Sequence, residues 1–140
     1  MPAPRAIDTT LADAGLLAGR CLLVFIFLHE GFGILGNYAP AAAYMQKSGV
    51  PALLLPAVIA LQLVGGLLIA AGIMTRLAAL ALAAFCVLTA ILFHWQFADR
   101  NQLLHFQKDL AIAGGFLVLA CCGPGNWSLG RYFPHMRGLV

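Results

Sequence analysis

The sequence predicts an all-α integral membrane protein, a four-helix bundle formed by a single membrane domain over residues 1–140. Three observations lead to this fold class. Only 9% of the residues are charged and 62% are hydrophobic, whereas soluble domains carry roughly 25% charged residues. Long apolar runs follow one another along the chain. The connections between them are short, so neighbouring helices are expected to be antiparallel.

Each apolar run is expected to form one membrane-spanning helix, because backbone groups in lipid must be hydrogen-bonded within their own segment. A span needs about 20 mostly apolar residues. The helices are predicted over residues 14–36, 52–73, 75–94 and 103–122. The sequence GPG at 123–125 ends the last of them, since proline cannot continue a helix. The stretch AAAYMQK at 41–47 is expected to form a short helix at the membrane interface.

The distribution of Lys and Arg predicts that both termini are cytoplasmic, because cytoplasmic segments carry an excess of these residues. If four helices cross the membrane, one side carries Arg5, Arg20, Arg76, Arg131 and Arg137, and the other carries Lys47, Arg100 and Lys108. Arg20 itself is expected either to extend to the interface or to pair with Asp13.

The polar residues inside the apolar runs are the candidate site. They are His29, Glu30, Gln62, His94, His105, Lys108 and Asp109. In the predicted orientation they gather in the outer half of the bundle, and the last three share one helix face at spacings of three and four. Two interpretations stay open. The residues line a polar ligand pocket between helices, or they form a structural network in which Glu30 pairs with Lys108 or a histidine.

Several classes of site are disfavoured. The histidines at 29, 94 and 105 match no local ligand motif, so neither metal nor haem is expected. The cysteines at 21, 86, 121 and 122 contain no CxxC pair and are expected to be buried small hydrophobes, with the role of the adjacent pair 121–122 left open. No basic run indicates a nucleic-acid partner. Without a nucleotide-binding glycine motif or triad spacing, the chain is not expected to be an enzyme on its own.

The stretches GRCLLVFIFLHEGFGIL, LQLVGGLLIAAGIMTRLAALALAAF and HFQKDLAIAGGFLVLACCGPGNWSLGRY resemble the DoxX family over about residues 19–132. The chain departs from the usual pattern at Gln62, where members often have Glu, and at Ile34, where members often have Lys. The resemblance implies a four-helix bundle in the bacterial cytoplasmic membrane. It also implies a subunit of a quinone-linked oxidoreductase, or a protein that assists other membrane proteins.

The leading functional expectation is a subunit or accessory protein of a membrane redox complex, with a quinone as the candidate ligand. His29 or His105 would then hydrogen-bond a quinone carbonyl, and Glu30 or Asp109 would exchange its protons. One alternative is a non-catalytic structural or assembly subunit, and another is a small transporter. The expected partners are the lipid bilayer and other membrane subunits, with a homo-oligomer left open.

A reporter fused to Val140 tests the orientation. Because the Lys and Arg bias favours a cytoplasmic C-terminus, a cytoplasm-active reporter should work there and a periplasm-active one should stay silent. The reverse result would move the candidate site to the inner leaflet.

Overall fold

The structure is a computed structural model that describes residues 8–133, and this part of the chain contains no β-strand. Five α-helices run in chain order: α1 Thr9–Gly36, α2 Tyr38–Lys47, α3 Leu55–Ala71, α4 Thr75–Phe93 and α5 Arg100–Cys122. Short 3-10 turns precede α3 at Ala52–Leu54 and follow α5 at Leu129–Tyr132. Arg5 and Arg137, used in the topology prediction, lie outside the described residues.

Four of the helices are long and apolar enough to cross a membrane, which confirms the predicted fold class. The span Ala52–Ala71 has 20 residues, and at about 1.5 Å per residue it matches a hydrocarbon core of about 30 Å. α1 begins at Thr9, before the predicted residue 14, because the Asp8 side chain accepts a hydrogen bond from the Thr10 amide and caps the helix. The expected short helix is α2, and its Met45 packs on Leu55 of α3.

The helices pack in antiparallel pairs, with α1 against α3, α3 against α4 and α4 against α5. Small residues allow these close contacts. A Cβ added at Gly66 would lie 2.9 Å from Leu28, and one added at Gly115 would lie 2.9 Å from Leu23. Gly114, by contrast, faces open space. Of the two adjacent glycines of α5, Gly115 therefore lies at a helix contact and Gly114 does not.

A buried arginine holds the segment after α5 against one end of the bundle. Arg20 is only 1% exposed. Its Nη1 donates to the carbonyl oxygen of Pro124 and its Nη2 to that of Trp127, both at 2.7 Å. The guanidinium is buried, and in the described chain its hydrogen-bond partners are backbone carbonyls rather than Asp13. The carbonyls of Pro124 and Trp127 give the Arg20 guanidinium acceptors inside the protein. The expectation that Arg20 extends to the interface or pairs with Asp13 is corrected accordingly.

Two more contacts hold the same segment. The Asp13 carboxylate accepts hydrogen bonds from the Asn126 backbone amide at 2.8 Å and from its side-chain amide at 3.0 Å. Gly72, at the end of α3, has a positive φ of 72° and accepts from the Gly130 amide at 3.2 Å. A Cβ at Gly72 would clash with the Cβ of Ser128. The segment therefore packs on α1 and on the α3–α4 turn together.

The cysteines differ from the expectation that all of them are buried. Cys86 is buried in the core, but Cys21, Cys121 and Cys122 are exposed on the surface of the described chain. In a membrane bundle the outward helix faces are also apolar, so an apolar neighbourhood in the sequence does not distinguish core from lipid-facing surface.

Replacing Arg20 with Met should lower the stability of the fold strongly. The change leaves the carbonyls of Pro124 and Trp127 without donors, and a hydrogen bond to a charged group contributes about 1.5–3 kcal/mol. We expect a loss of about 3 kcal/mol, measured by unfolding in a mild detergent. Arg100→Met, at an exposed position, is the matched control. An equal loss in both variants would contradict the role of Arg20.

Gly72→Ala should lower the midpoint temperature of unfolding in detergent, because the positive φ and the contact with Ser128 leave no room for a Cβ. A strained backbone position of this kind costs about 1–3 kcal/mol. Gly114→Ala is the control, since a helical glycine facing open space should lose nothing and gain about 0.5–1 kcal/mol. Similar midpoints in the two variants would argue against the close packing at Gly72.

Candidate functional site

The structure divides the seven candidate residues among different places rather than gathering them in one pocket. His94, His105 and Asp109 lie together where α4 ends and α5 begins. Gln62 lies at the contact of α1 with α3. The remaining three, His29, Glu30 and Lys108, have exposed side chains.

The first group, with Gln102 added, is called here the His94 cluster: His94, Gln102, His105 and Asp109. His94 Nδ1 lies 2.7 Å from Gln102 Oε1, and its ring stacks on that of His105 with centroids 5.0 Å apart. Its Nε2 lies 3.9 Å from Asp109 Oδ2. The side chains of His94 and Asp109 are 16% and 21% exposed. The cluster is therefore partly shielded from solvent.

The sequence builds this cluster from the end of one helix and one face of the next. His94 is the residue that follows α4, and Asp99 caps the start of α5 by accepting from the Asn101 amide at 2.8 Å. Residues 102, 105 and 109 then follow at spacings of three and four, which places them on the same face of α5. Gln102 was not among the predicted site residues, although this spacing from His105 was the signal that could have identified it.

Aromatic side chains lie beside the cluster. The rings of Trp95, Phe97 and Phe106 contact one another with centroids 5.0–5.7 Å apart. Aromatic residues, and Trp above all, are enriched at the membrane–water interface. This end of α4 and α5 therefore lies near the interface, with one exposed histidine, His105, next to the apolar rings.

His94 Nε2 and Asp109 Oδ2 face each other across 3.9 Å without a hydrogen bond. When Gln102 Oε1 accepts from Nδ1–H, a neutral imidazole has an unprotonated Nε2, and that nitrogen faces the Asp109 carboxylate. Asp109 Oδ2 is buried and has no hydrogen-bond partner in the described chain. The cluster can thus hydrogen-bond a polar ligand.

Gln62 is a second buried polar residue. It is 7% exposed, and its Oε1 has no hydrogen-bond partner among the described residues. The Cβ of Gln62 would lie 3.5 Å from a Cβ added at Gly31, so the residue sits at a contact of α1 with α3. The oxygen can accept a hydrogen bond from water or a ligand.

His29 and Glu30 lie on the outward face of α1, not on the wall of a pocket between helices. Their side chains are 71% and 60% exposed, and His29 Nδ1 lies 3.5 Å from Glu30 Oε1. The imidazole beside Glu30 is that of its neighbour in the chain, not of a residue on another helix. The reason is helical phase: the buried positions Phe27 and Gly31 are each two residues, or about 200°, from position 29.

Two further features bear on ligands. Within residues 8–133 the structure brings no three His, Cys, Asp or Glu side chains into an arrangement that could hold a metal ion. An open groove between α3 and α4 is lined by apolar side chains, among them Ala60, Val64, Leu68, Leu77 and Ala81. None of the seven candidate residues lines that groove.

The comparisons with known proteins agree with this architecture. Residues 15–95 match the DoxX family. The chain is 46% identical to the inner membrane protein YqjF of Escherichia coli K12 over 121 residues, covering 86% of this chain and 93% of that protein. It is 34% identical to the inner membrane protein YphA of the same organism over 123 residues, covering 83% of this chain and 88% of that protein. No solved structure matches the chain. The protein therefore belongs to the DoxX family and is a multi-pass integral protein of the bacterial inner membrane.

Proposed function

We propose that this protein is a subunit or accessory protein of a membrane redox complex, and that the His94 cluster binds the head group of a quinone. One observation carries the proposal. The buried Asp109 Oδ2 has no hydrogen-bond partner among the described residues and faces His94 Nε2 across 3.9 Å. Ionisable residues in membrane helices are costly, by about 2.5–3.5 kcal/mol for a charged side chain at the helix centre, and such residues are candidates for function.

A quinone fits the chemistry of this cluster. Its carbonyl oxygens accept hydrogen bonds, and reduction to the quinol takes up two electrons and two protons. The electrons would come from the redox partner subunit of the complex. Asp109 would deliver one proton to one quinone oxygen and the exposed His105, stacked on His94, would deliver the second to the other oxygen, and both groups would be reprotonated from water.

The surroundings also suit a flat, partly apolar ligand. The rings of Trp95 and Phe106 lie beside the cluster at the interface end of α4 and α5, so a quinone tail could remain in the bilayer while its head group reaches the polar side chains. The family resemblance supports the same ligand class, because it implies relatives that are subunits of quinone-linked oxidoreductases.

A structural or assembly subunit is the second candidate, and a specific contact favours it. His94 Nδ1 is already hydrogen-bonded to Gln102 of α5 at 2.7 Å. A polar contact of this kind could serve only to hold the end of α4 against α5, with no ligand bound. The two candidates differ in what removal of a cluster residue does to ligand content and to stability.

The quinone site is tested with Asp109→Asn and His105→Ala. Asn keeps the shape of Asp109 but cannot exchange a proton, and Ala removes the exposed donor. Protein purified in mild detergent should yield extractable quinone by mass spectrometry, and each variant should carry at least about tenfold less. A short-chain quinone added to the unmutated protein should raise its unfolding temperature, since a ligand that binds only the folded state stabilises it.

Gln107→Ala, at an exposed position of α5, is the control and should keep the full quinone content. Absence of quinone from the unmutated protein, no thermal shift with the short-chain quinone, and lower unfolding temperatures in both cluster variants would together replace the redox proposal with the structural one.

A further inference from the structure

The outward face of α1 carries an acid and an imidazole close to the middle of the membrane. Gly31 packs on α3, where a Cβ added to it would lie 2.7 Å from Leu63 and 3.5 Å from Gln62. These two residues are at the centre of the 20-residue span Ala52–Ala71. His29 and Glu30 are one or two residues from Gly31, so they lie within about 3 Å of its depth along the helix.

Exposure at this depth is unfavourable unless something covers the two side chains. Ionisable residues within membrane helices almost always face the bundle interior or a water-filled cavity and pair with other groups. Here more than half of each side chain is exposed. Among the described residues, His29 Nδ1 lies 3.5 Å from Glu30 Oε1 and the His29 ring stacks on that of Phe25 with centroids 6.3 Å apart. The imidazole Nε2 and the second carboxylate oxygen remain available for hydrogen bonds from outside.

The surface around the pair allows another helix to approach closely. At about 3.6 residues per turn one stripe of α1 faces away from the bundle, and all of its members are exposed: Leu11, Gly15, Ala18, Leu22, Phe25, His29, Gly33 and Gly36. We call this stripe, with Glu30 at its edge, the α1 face. A Cβ added at Gly15 or Gly33 would meet nothing within 4 Å. Small residues at such positions let helix backbones pack together in lipid.

We propose that the α1 face is the contact surface of a symmetric dimer, in which His29 of each copy pairs with Glu30 of the other. Copies inserted in the same direction are related by a twofold axis along the membrane normal, so their α1 helices run parallel and equal residues lie at equal depth. His29 of one copy is then within about 1.5 Å, along the axis, of Glu30 of the other. Two reciprocal hydrogen bonds form across the interface.

The chemistry of the pair favours a second copy over another protein. A twofold interface must be self-complementary. His29 supplies a donor and Glu30 supplies an acceptor on the same patch, so two copies satisfy each other without a group from elsewhere. The α3–α4 groove is a weaker candidate for a contact, because its lining is apolar and lipid can cover it. This inference does not depend on the quinone proposal, since neither residue belongs to the His94 cluster.

Photo-crosslinking in native membranes tests the surface. A benzophenone amino acid placed at Phe25, which is 69% exposed on the α1 face, should give an adduct of two copies of the 14.8 kDa chain. The same probe at Leu67, 55% exposed on α3, is the control and should give none. An adduct at Phe25 that contains a different protein, or equal adducts at both positions, would overturn the proposal.

The pairing is tested with two variants in liposomes. Glu30→Leu removes the acceptor and leaves an apolar side chain that lipid tolerates, so the chain should fold while the dimer dissociation constant rises about tenfold. The double variant His29→Glu with Glu30→His restores a donor and an acceptor on each copy and should recover most of that loss. The unfolding temperature of the dilute monomer and the quinone content should not change. A dissociation constant unaffected by Glu30→Leu, or not recovered by the double variant, would refute the pairing.

Discussion

The buried guanidinium of Arg20 is the interaction on which the arrangement of the bundle depends. A charged group inside a membrane protein is stable only where acceptors surround it. Arg20 finds them in the carbonyls of Pro124 and Trp127. These carbonyls are available because the turn at residues 123–125 ends α5 and brings the chain back across the bundle. α1 and the segment after α5, more than 100 residues apart, are thereby fixed to each other.

That contact also sets which side of α1 faces inward. Once Arg20 points into the bundle, Val24, Phe27 and Gly31 follow on the same face and pack on the other helices. The opposite face is then exposed, and it includes His29. The placement of a polar pair in the middle of the membrane is thus a consequence of a bond at the end of the bundle, about nine residues away.

The sequence was sufficient for the helices but not for their rotation. Length and hydropathy identify spans in any membrane protein, so the four crossings and the stop at residues 123–125 could be predicted. The rotation of each helix about its own axis could not be predicted. Both faces of α1 are apolar, so the periodicity that reveals the inward face of a helix in a soluble protein is missing. The partners of Arg20 are backbone carbonyls, which no side-chain pattern shows. On α5 the spacing predicted a shared face for His105, Lys108 and Asp109. His105 and Asp109 both lie beside His94, whereas the Lys108 side chain is exposed.

The His94 cluster and the pair His29–Glu30 differ in their depth along the bundle and in what they can contact. The His94 cluster lies at the end of α4, beside aromatic residues that suit the interface. His29 and Glu30 lie on the outward face of α1, near the depth of Gln62 in α3. α4 packs mainly on α3 and α5, while the α1 face points away from the bundle. A dimer formed through α1 would therefore leave the α4–α5 end uncovered, so that the proposed ligand site and the proposed dimer contact are compatible in the same molecule.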